Sequence, residues 1–218
     1  MVKLNKDNFK GRDFISLQDY TAEEIAYLID VALELKTENK AGIPHPVLQG
    51  KTLAMIFTKS STRTRVSFEV GIYQLGGIGL FLSSRDIQLG RGEPIEDTAR
   101  VLSRMVDGIM IRTYSHQEVV ELAKYSSVPV INGLSDYLHP TQVLADLMTI
   151  KEYKGKIQGL KLAYIGDGNN VAHSLLLGCT KMGMQVALAS PEGYQPEPEI
   201  VRTAQKNAAA SGGSVIIT

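Results

Sequence analysis

Tryptophan is absent from these 218 residues and cysteine occurs once, at Cys179. One thiol excludes an intramolecular disulfide and cannot by itself form a cysteine-rich zinc site, which fits a reducing compartment and favours the cytoplasm. An excess of either charge is also lacking, since Lys+Arg and Asp+Glu both number 23. With no global field to favour nucleic acid or an acidic membrane, any anion binding must come from local placement. Long apolar runs are missing too: nothing approaches the ~18 residues of a membrane span. The opening Met1-Val2-Lys3-Leu4-Asn5-Lys6-Asp7 lacks the apolar segment of a signal peptide. A soluble globular protein is expected, with 44% hydrophobic content and a length that allows one large domain or two small ones.

What is present is a rhythm. Thr21 and Glu24 form a capping box ahead of Ile25, Leu28, Ile29, Ala32 and Leu33 at helical spacing. Apolar runs at 52–57, 78–82, 108–111 and 128–131 alternate with helical patterns at about 64–75, 95–106 and 116–125. Gly76-Gly77 closes the first of these helices, Pro94 opens the next, and Ser115 with Glu118 is expected to cap the third. Strands separated by helices predict α/β architecture with a parallel sheet covered on both faces and ligands at the strands' carboxyl ends. A second unit of the same kind starts after Lys154-Gly155-Lys156-Ile157-Gln158-Gly159. Its strand Leu160–Ile165 runs into Gly166-Asp167-Gly168-Asn169-Asn170, a helix follows to about Met182, and Val186–Ala189 is the next strand. A helix over Pro198–Ser211 and a strand over Val215–Thr218 follow. Gly166-Asp167-Gly168 is half of a dinucleotide fingerprint, but His173 lies near the place of the third glycine, so a nicotinamide site is discounted. The expectation is two doubly wound parallel-sheet domains, 1–150 and 151–218, the second incomplete in this sequence.

Three groups of residues stand at strand ends. Lys59-Ser60-Ser61-Thr62-Arg63-Thr64-Arg65 follows the first strand of the rhythm and opens a helix. Helix N-termini leave N–H groups without intrahelical partners, hydroxyls can cap or donate, and arginine forks match phosphate oxygens. The bland alternative is a capped helix with solvated arginines. Arg112 stands just past the strand that ends at Ile111. In His139-Pro140-Thr141-Gln142 the proline fixes His139 just before a helix and Gln142 in its first turn, so imidazole and amide can face one ligand, or simply cap. Three ligand-ready positions in one sheet are harder to dismiss than any one alone.

Ser61-Thr62-Arg63-Thr64-Arg65, Arg112 and His139-Pro140-Thr141-Gln142 together resemble the carbamoyltransferases, in order along the whole chain. Gly166-Asp167-Gly168-Asn169-Asn170 with Val171-Ala172-His173-Ser174 resembles the ornithine-specific members. The resemblance implies that Ser61, Thr62, Arg63 and Thr64 hold the phosphate of carbamoyl phosphate, with Arg65 supporting the loop. It implies that Arg112 bridges phosphate and carbonyl, His139 donates to the carbonyl oxygen, Gln142 accepts from the carbamoyl amino group, and Asn170 contacts ornithine. Arg112, His139 and Gln142 would be the catalytic set. Gln88, in Ser84-Arg85-Asp86-Ile87-Gln88-Leu89-Gly90-Arg91-Gly92, matches a loop that in this family reaches a neighbouring subunit's site. A homotrimer with shared active sites is implied; the glycines alone suggest a flexible surface loop.

The implied reaction is attack of the neutral δ-amine of L-ornithine on the carbamoyl carbon, giving L-citrulline and phosphate, as in arginine metabolism. Charge developing on the tetrahedral oxygen would meet Arg112 and His139. No side chain is an obvious general base, so the departing phosphate would take the amine proton. No cofactor is implied, and the histidines His45, His116, His139 and His173 show no paired ligand spacing, so no metal is expected. Two family elements have no counterpart: a tryptophan-containing loop that grips ornithine and a His-Cys-Leu-Pro turn. Cys179, in an apolar helix, is read as a buried structural thiol rather than a substitute for that turn. This stretch by itself is therefore expected to bind carbamoyl phosphate without efficient transfer. Other acceptors (putrescine, aspartate, acetylornithine) and a non-catalytic phosphate-binding module are the alternatives.

Overall fold

The computed structural model describes residues 4–218. By compactness the chain divides into one unit formed by residues up to Ile15 with Glu34–Ser135, and another formed by Ser16–Leu33 with Asp136–Thr218.

The first unit is built on a four-stranded, all-parallel sheet in the order β2-β1-β3-β4, from β1 Thr52–Phe57, β2 Ile78–Ser83, β3 Gly108–Arg112 and β4 Val130–Leu134. Side chains alternate across a strand, so each strand feeds two cores. Ala54, Ile56, Ile109, Ile111 and Val130 pack with Ala99 of α3 (Ile95–Leu102) and with Val119 and Leu122 of α4 (His116–Tyr125). On the opposite face Leu53, Met55, Phe57 and Met110 pack with Ile72 of α2 (Thr62–Gln74). Helices on both faces explain why β1 reads as one apolar run. Each buried Ile, Leu, Met or Phe contributes about 1.5–3 kcal/mol of transfer free energy.

Several boundaries differ from the sequence reading, each for a local reason. Arg112 is the last residue of β3 and not beyond it, because its carbonyl still accepts from Thr58 and Lys59 N–H at 3.0 and 3.4 Å. Helix α3 stops at Leu102, where the Ser103 hydroxyl donates back to the Ala99 carbonyl at 2.6 Å. Strand β4 lies later than 128–131, extending through Asn132 and Gly133; a buried Asn132 side chain donates to the Ile15 carbonyl at 3.1 Å. The N-terminal segment joins here: Phe14 forms a parallel bridge to Ile131, and the Asp13 carboxylate accepts from Val130 N–H. Ser115 occupies the N-cap of α4 but makes no side-chain cap bond, while Glu118 accepts from the Thr113 hydroxyl instead.

The second unit contains α5 Pro140–Lys154, β5 Lys161–Ile165, α6 Asn170–Lys181, β6 Gln185–Ala189, α7 Pro198–Ser211 and β7 Ser214–Ile217, the strands forming a parallel sheet in the order β5-β6-β7. The capping box is reciprocal at the start of α1 (Ala22–Lys40): Thr21 N–H donates to the Glu24 carboxylate at 2.9 Å and Glu24 N–H to the Thr21 hydroxyl at 3.2 Å. Helix α6 is buried without interruption from Ala172 to Thr180. At its end the Lys181 ammonium donates to the carbonyls of Gln18 and Tyr20, each at 2.6 Å, and of Leu17 at 3.3 Å. No helix among the described residues is long and apolar enough to cross a membrane.

Candidate active site

At the carboxyl end of β1, Ser61 adopts an extended N-cap conformation, and its hydroxyl oxygen accepts from Thr64 N–H at 3.2 Å while donating to the Thr64 hydroxyl at 3.1 Å. That contact starts α2 at Thr62, two residues earlier than periodicity indicates. Thr62 and Arg63 are exposed in the first turn. The Arg65 guanidinium lies 3.5 Å from the centre of the Phe81 ring and pairs with Glu69 at 3.3 Å.

The parallel β1–β3 pairing sets Arg112 opposite Phe57, beside that turn. Arg112 Nη1 donates to the Thr64 hydroxyl at 3.1 Å, and its buried Nε has no hydrogen-bond partner among the described residues. Burial first, and the Arg63 charge second, pull this guanidinium below its usual pKa. Two cations and a helix N-terminus thus converge on one small region with a donor unused, an arrangement that favours an anion. Sequence reasoning missed the support beneath it. Thr58 donates to Thr113 at 2.8 Å and Thr113 in turn to Glu118, a polar chain between the β1 and β3 ends. Gln88 is exposed in a 3-10 turn, Gln88–Arg91, whose neighbours Ile87 and Leu89 pack against the unit's core. The loop is therefore anchored rather than featureless.

In the second unit, Pro140 is the first residue of α5 and His139 its N-cap, yet the His139 side chain makes no cap bond. The simple capping alternative fails for it. The His139 amide donates to the Ser174 hydroxyl at 2.8 Å, and the Thr141 hydroxyl lies 3.3 Å from His139 Nδ1. Gln142 is exposed, and its Nε2 donates to Asp146 at 3.0 Å, so the amide oxygen is not the atom used in that bond. Asp146, half-buried, has its pKa raised by desolvation, partly offset by the Gln142 bond. Its position four residues after Gln142 was the available signal. Asn170 is the first residue of α6, whose N-cap is Asn169: that side chain accepts from Val171 and Ala172 N–H at 3.0 and 3.4 Å. The Gly166-Asp167-Gly168 turn has its own explanation. A Cβ at Gly168 would lie 2.2 Å from Pro196 N, so the glycine admits the chain's own loop. Cys179 is fully buried, and desolvation pushes its thiol up to about 12.

This chain matches the carbamoyl-P binding domain of aspartate/ornithine carbamoyltransferases over residues 12–152 and the Asp/Orn binding domain over residues 158–218. The chain belongs to the aspartate/ornithine carbamoyltransferase family. Among its relatives, the ornithine carbamoyltransferase of Carboxydothermus hydrogenoformans is 62% identical over 211 residues, covering 97% of this chain and 68% of that protein. That of Thermococcus kodakarensis is 63% identical over 204 residues, covering 94% and 65%. The solved ornithine carbamoyltransferase structure from Pyrococcus furiosus superposes with a TM-score of 0.94 at 59% identity, covering 96% of this chain and 67% of that one. The chain thus spans about two thirds of the length of the carbamoyltransferases it matches. All the candidate residues except Asn170 fall within the carbamoyl-P binding match; Asn170 falls within the Asp/Orn binding match.

Proposed function

We propose that the chain carries the carbamoyl phosphate site of an ornithine carbamoyltransferase, which transfers the carbamoyl group to the δ-amine of L-ornithine and yields L-citrulline and phosphate. The observation that carries this reading is Arg112, bonded to Thr64 at the head of α2 with a buried donor unused. Ser61, Thr62, Arg63 and Thr64 hold the phosphate; Arg112 and His139 stabilise the tetrahedral oxygen; Gln142 accepts from the carbamoyl amino group; Asn170 contacts ornithine. The departing phosphate takes the amine proton. Residues 1–150 are the carbamoyl phosphate-binding domain and 151–218 belong to the ornithine-binding domain. The protein works in arginine metabolism in the cytoplasm, as a homotrimer in which Gln88 serves a neighbouring subunit. An exposed apolar face on α2 (Val66, Val70, Tyr73) and on edge strand β2 (Ile78, Leu80) supports the assembly.

The test is a calorimetric titration of the purified 218-residue chain with carbamoyl phosphate beside Arg63→Ala. Binding in the wild type that the variant loses supports the phosphate cradle, and an amine panel then assigns the acceptor. A folded wild type that binds nothing counts against the reading. The chain alone is expected to bind without efficient transfer, and citrulline formation at ordinary enzymatic rates from a protein of verified 23.8 kDa would contradict that.

A further inference from the structure

His173 is a buried titratable group that the proposed chemistry does not use; it is only 4% exposed. Both ring nitrogens are engaged within the second unit. Nδ1 lies 3.0 Å from the Tyr137 carbonyl, which can only accept, so Nδ1 carries the proton. Nε2 lies 3.1 Å from the Glu197 amide, which can only donate, so Nε2 must be bare. The two bonds together permit one species, the neutral Nδ1–H tautomer. One residue further on, Ser174 accepts the His139 amide. Adjacent positions of α6 therefore grip the backbone two residues apart in the segment that sets the start of α5, while the ring also fastens the segment ahead of α7.

We propose that His173 is a positioning residue for the His139–Gln142 helix start, its neutral ring tying the loops ahead of α5 and α7 to the buried helix α6. This rests on the reading of His139 and Gln142 as carbamoyl contacts. The ring is faced by Tyr137, edge-on at 5.1 Å, by Asp167 from the β5–α6 turn and by Glu197 ahead of α7, while Glu199 of α7 bears on Tyr137. Desolvation is the largest effect and holds the ring below its ordinary 6.5, against the Tyr137 carbonyl bond and the two acids, which favour the imidazolium. The sign follows. The tie is complete above about pH 6.5 and is lost as pH falls through the lowered value, because a protonated Nε2 cannot accept from Glu197.

The experiment uses the full chain with 15N-histidine and 15N-backbone labelling, as wild type, His173→Gln and His173→Leu. Glutamine keeps one donor and one acceptor without titrating; leucine keeps only bulk. Long-range ring spectra should show the Nδ1–H tautomer at pH 7 and titration below 6.5. One unit below the measured ring pKa, exchange of the Glu197 and His139–Gln142 amides should rise roughly tenfold in the wild type beyond the intrinsic change, and not in His173→Gln. An Nε2–H tautomer, or amides at 139–142 indifferent to ring protonation, overturns the proposal. Carbamoyl phosphate titration at both pH values forms a separate arm, and the ratio of wild type to His173→Gln cancels the ligand's own ionisation. A roughly tenfold fall in that ratio at the lower pH is expected. No binding at either pH, with the amide response present, would sink the carbamoyl reading while leaving the tie intact. Should His173→Leu fail to fold, the wild type and His173→Gln still decide.

Discussion

Asp146 illustrates how a neighbour can set the orientation of a proposed site residue, here Gln142. An amide has two ends of opposite character, and the bond from Nε2 to Asp146 ties down the donor end. Asp146→Asn keeps an acceptor at that place, whereas Asp146→Leu removes it and frees the amide to turn. Carbamoyl phosphate affinity should hold in the first and fall by up to about tenfold in the second, since one such bond is worth ~0.5–1.5 kcal/mol; calorimetry on both variants checks it. Cys179 yields a simpler expectation. With its thiol at about 12 and no exposed surface, the native protein should resist iodoacetamide at pH 8 and react once unfolded in guanidinium, as mass spectrometry would read. Much at this scale was legible: the Ser/Thr/Arg run does cap and crowd a helix start, and His139 does precede Pro140. The partners were not. Thr113 beneath the cradle and Ser174 beneath His139 are joined to their sites by spatial neighbours 55 and 35 positions away in sequence, which no local pattern encodes.

Among the elements, α6 is tightly packed. Its apolar run predicted a buried helix, and the structure adds the tolerance: a Cβ on Gly178 would approach Leu17 Cδ1 to 2.6 Å and Val143 Cγ1 to 2.9 Å. Gly178→Ala should therefore cost about 1–3 kcal/mol through overpacking, despite the better helix propensity of alanine. A urea titration of that variant against wild type measures the difference, and an unchanged or raised midpoint would mean that Leu17 and Val143 yield easily. Punctuation proved a sound guide to helix starts where a side chain closed a ring of two bonds, as at Thr21 and Glu24. It misled at Ser115, because the Thr113 hydroxyl claims the carboxylate a capping box needed. Composition cannot reveal that competition.

For the molecule as a whole, alternation of apolar runs with helices was enough to predict the α/β class, since parallel strands buried on both faces leave that signature. Strand order was not legible. That β1 sits between β2 and β3 depends on how crossovers pack, not on any one segment. The proposed homotrimer gives the prediction at this scale: light scattering should report a mass near three times 23.8 kDa, and Tyr73→Glu, at a position 78% exposed in the isolated chain, should shift it toward the single chain without loss of helix content. The bridge from Phe14 to Ile131 carries a consequence of its own. The bonds beside it, Asp13 with Val130 and Ile15 with Asn132, each span 117 positions. On a ribosome adding roughly 5–20 residues per second, the N-terminal segment emerges and then waits on the order of ten seconds for its mate. Its apolar Phe14 is meanwhile available to other partners, chaperones among them. The β4 margin of the first sheet can be sealed only once β4 itself has emerged.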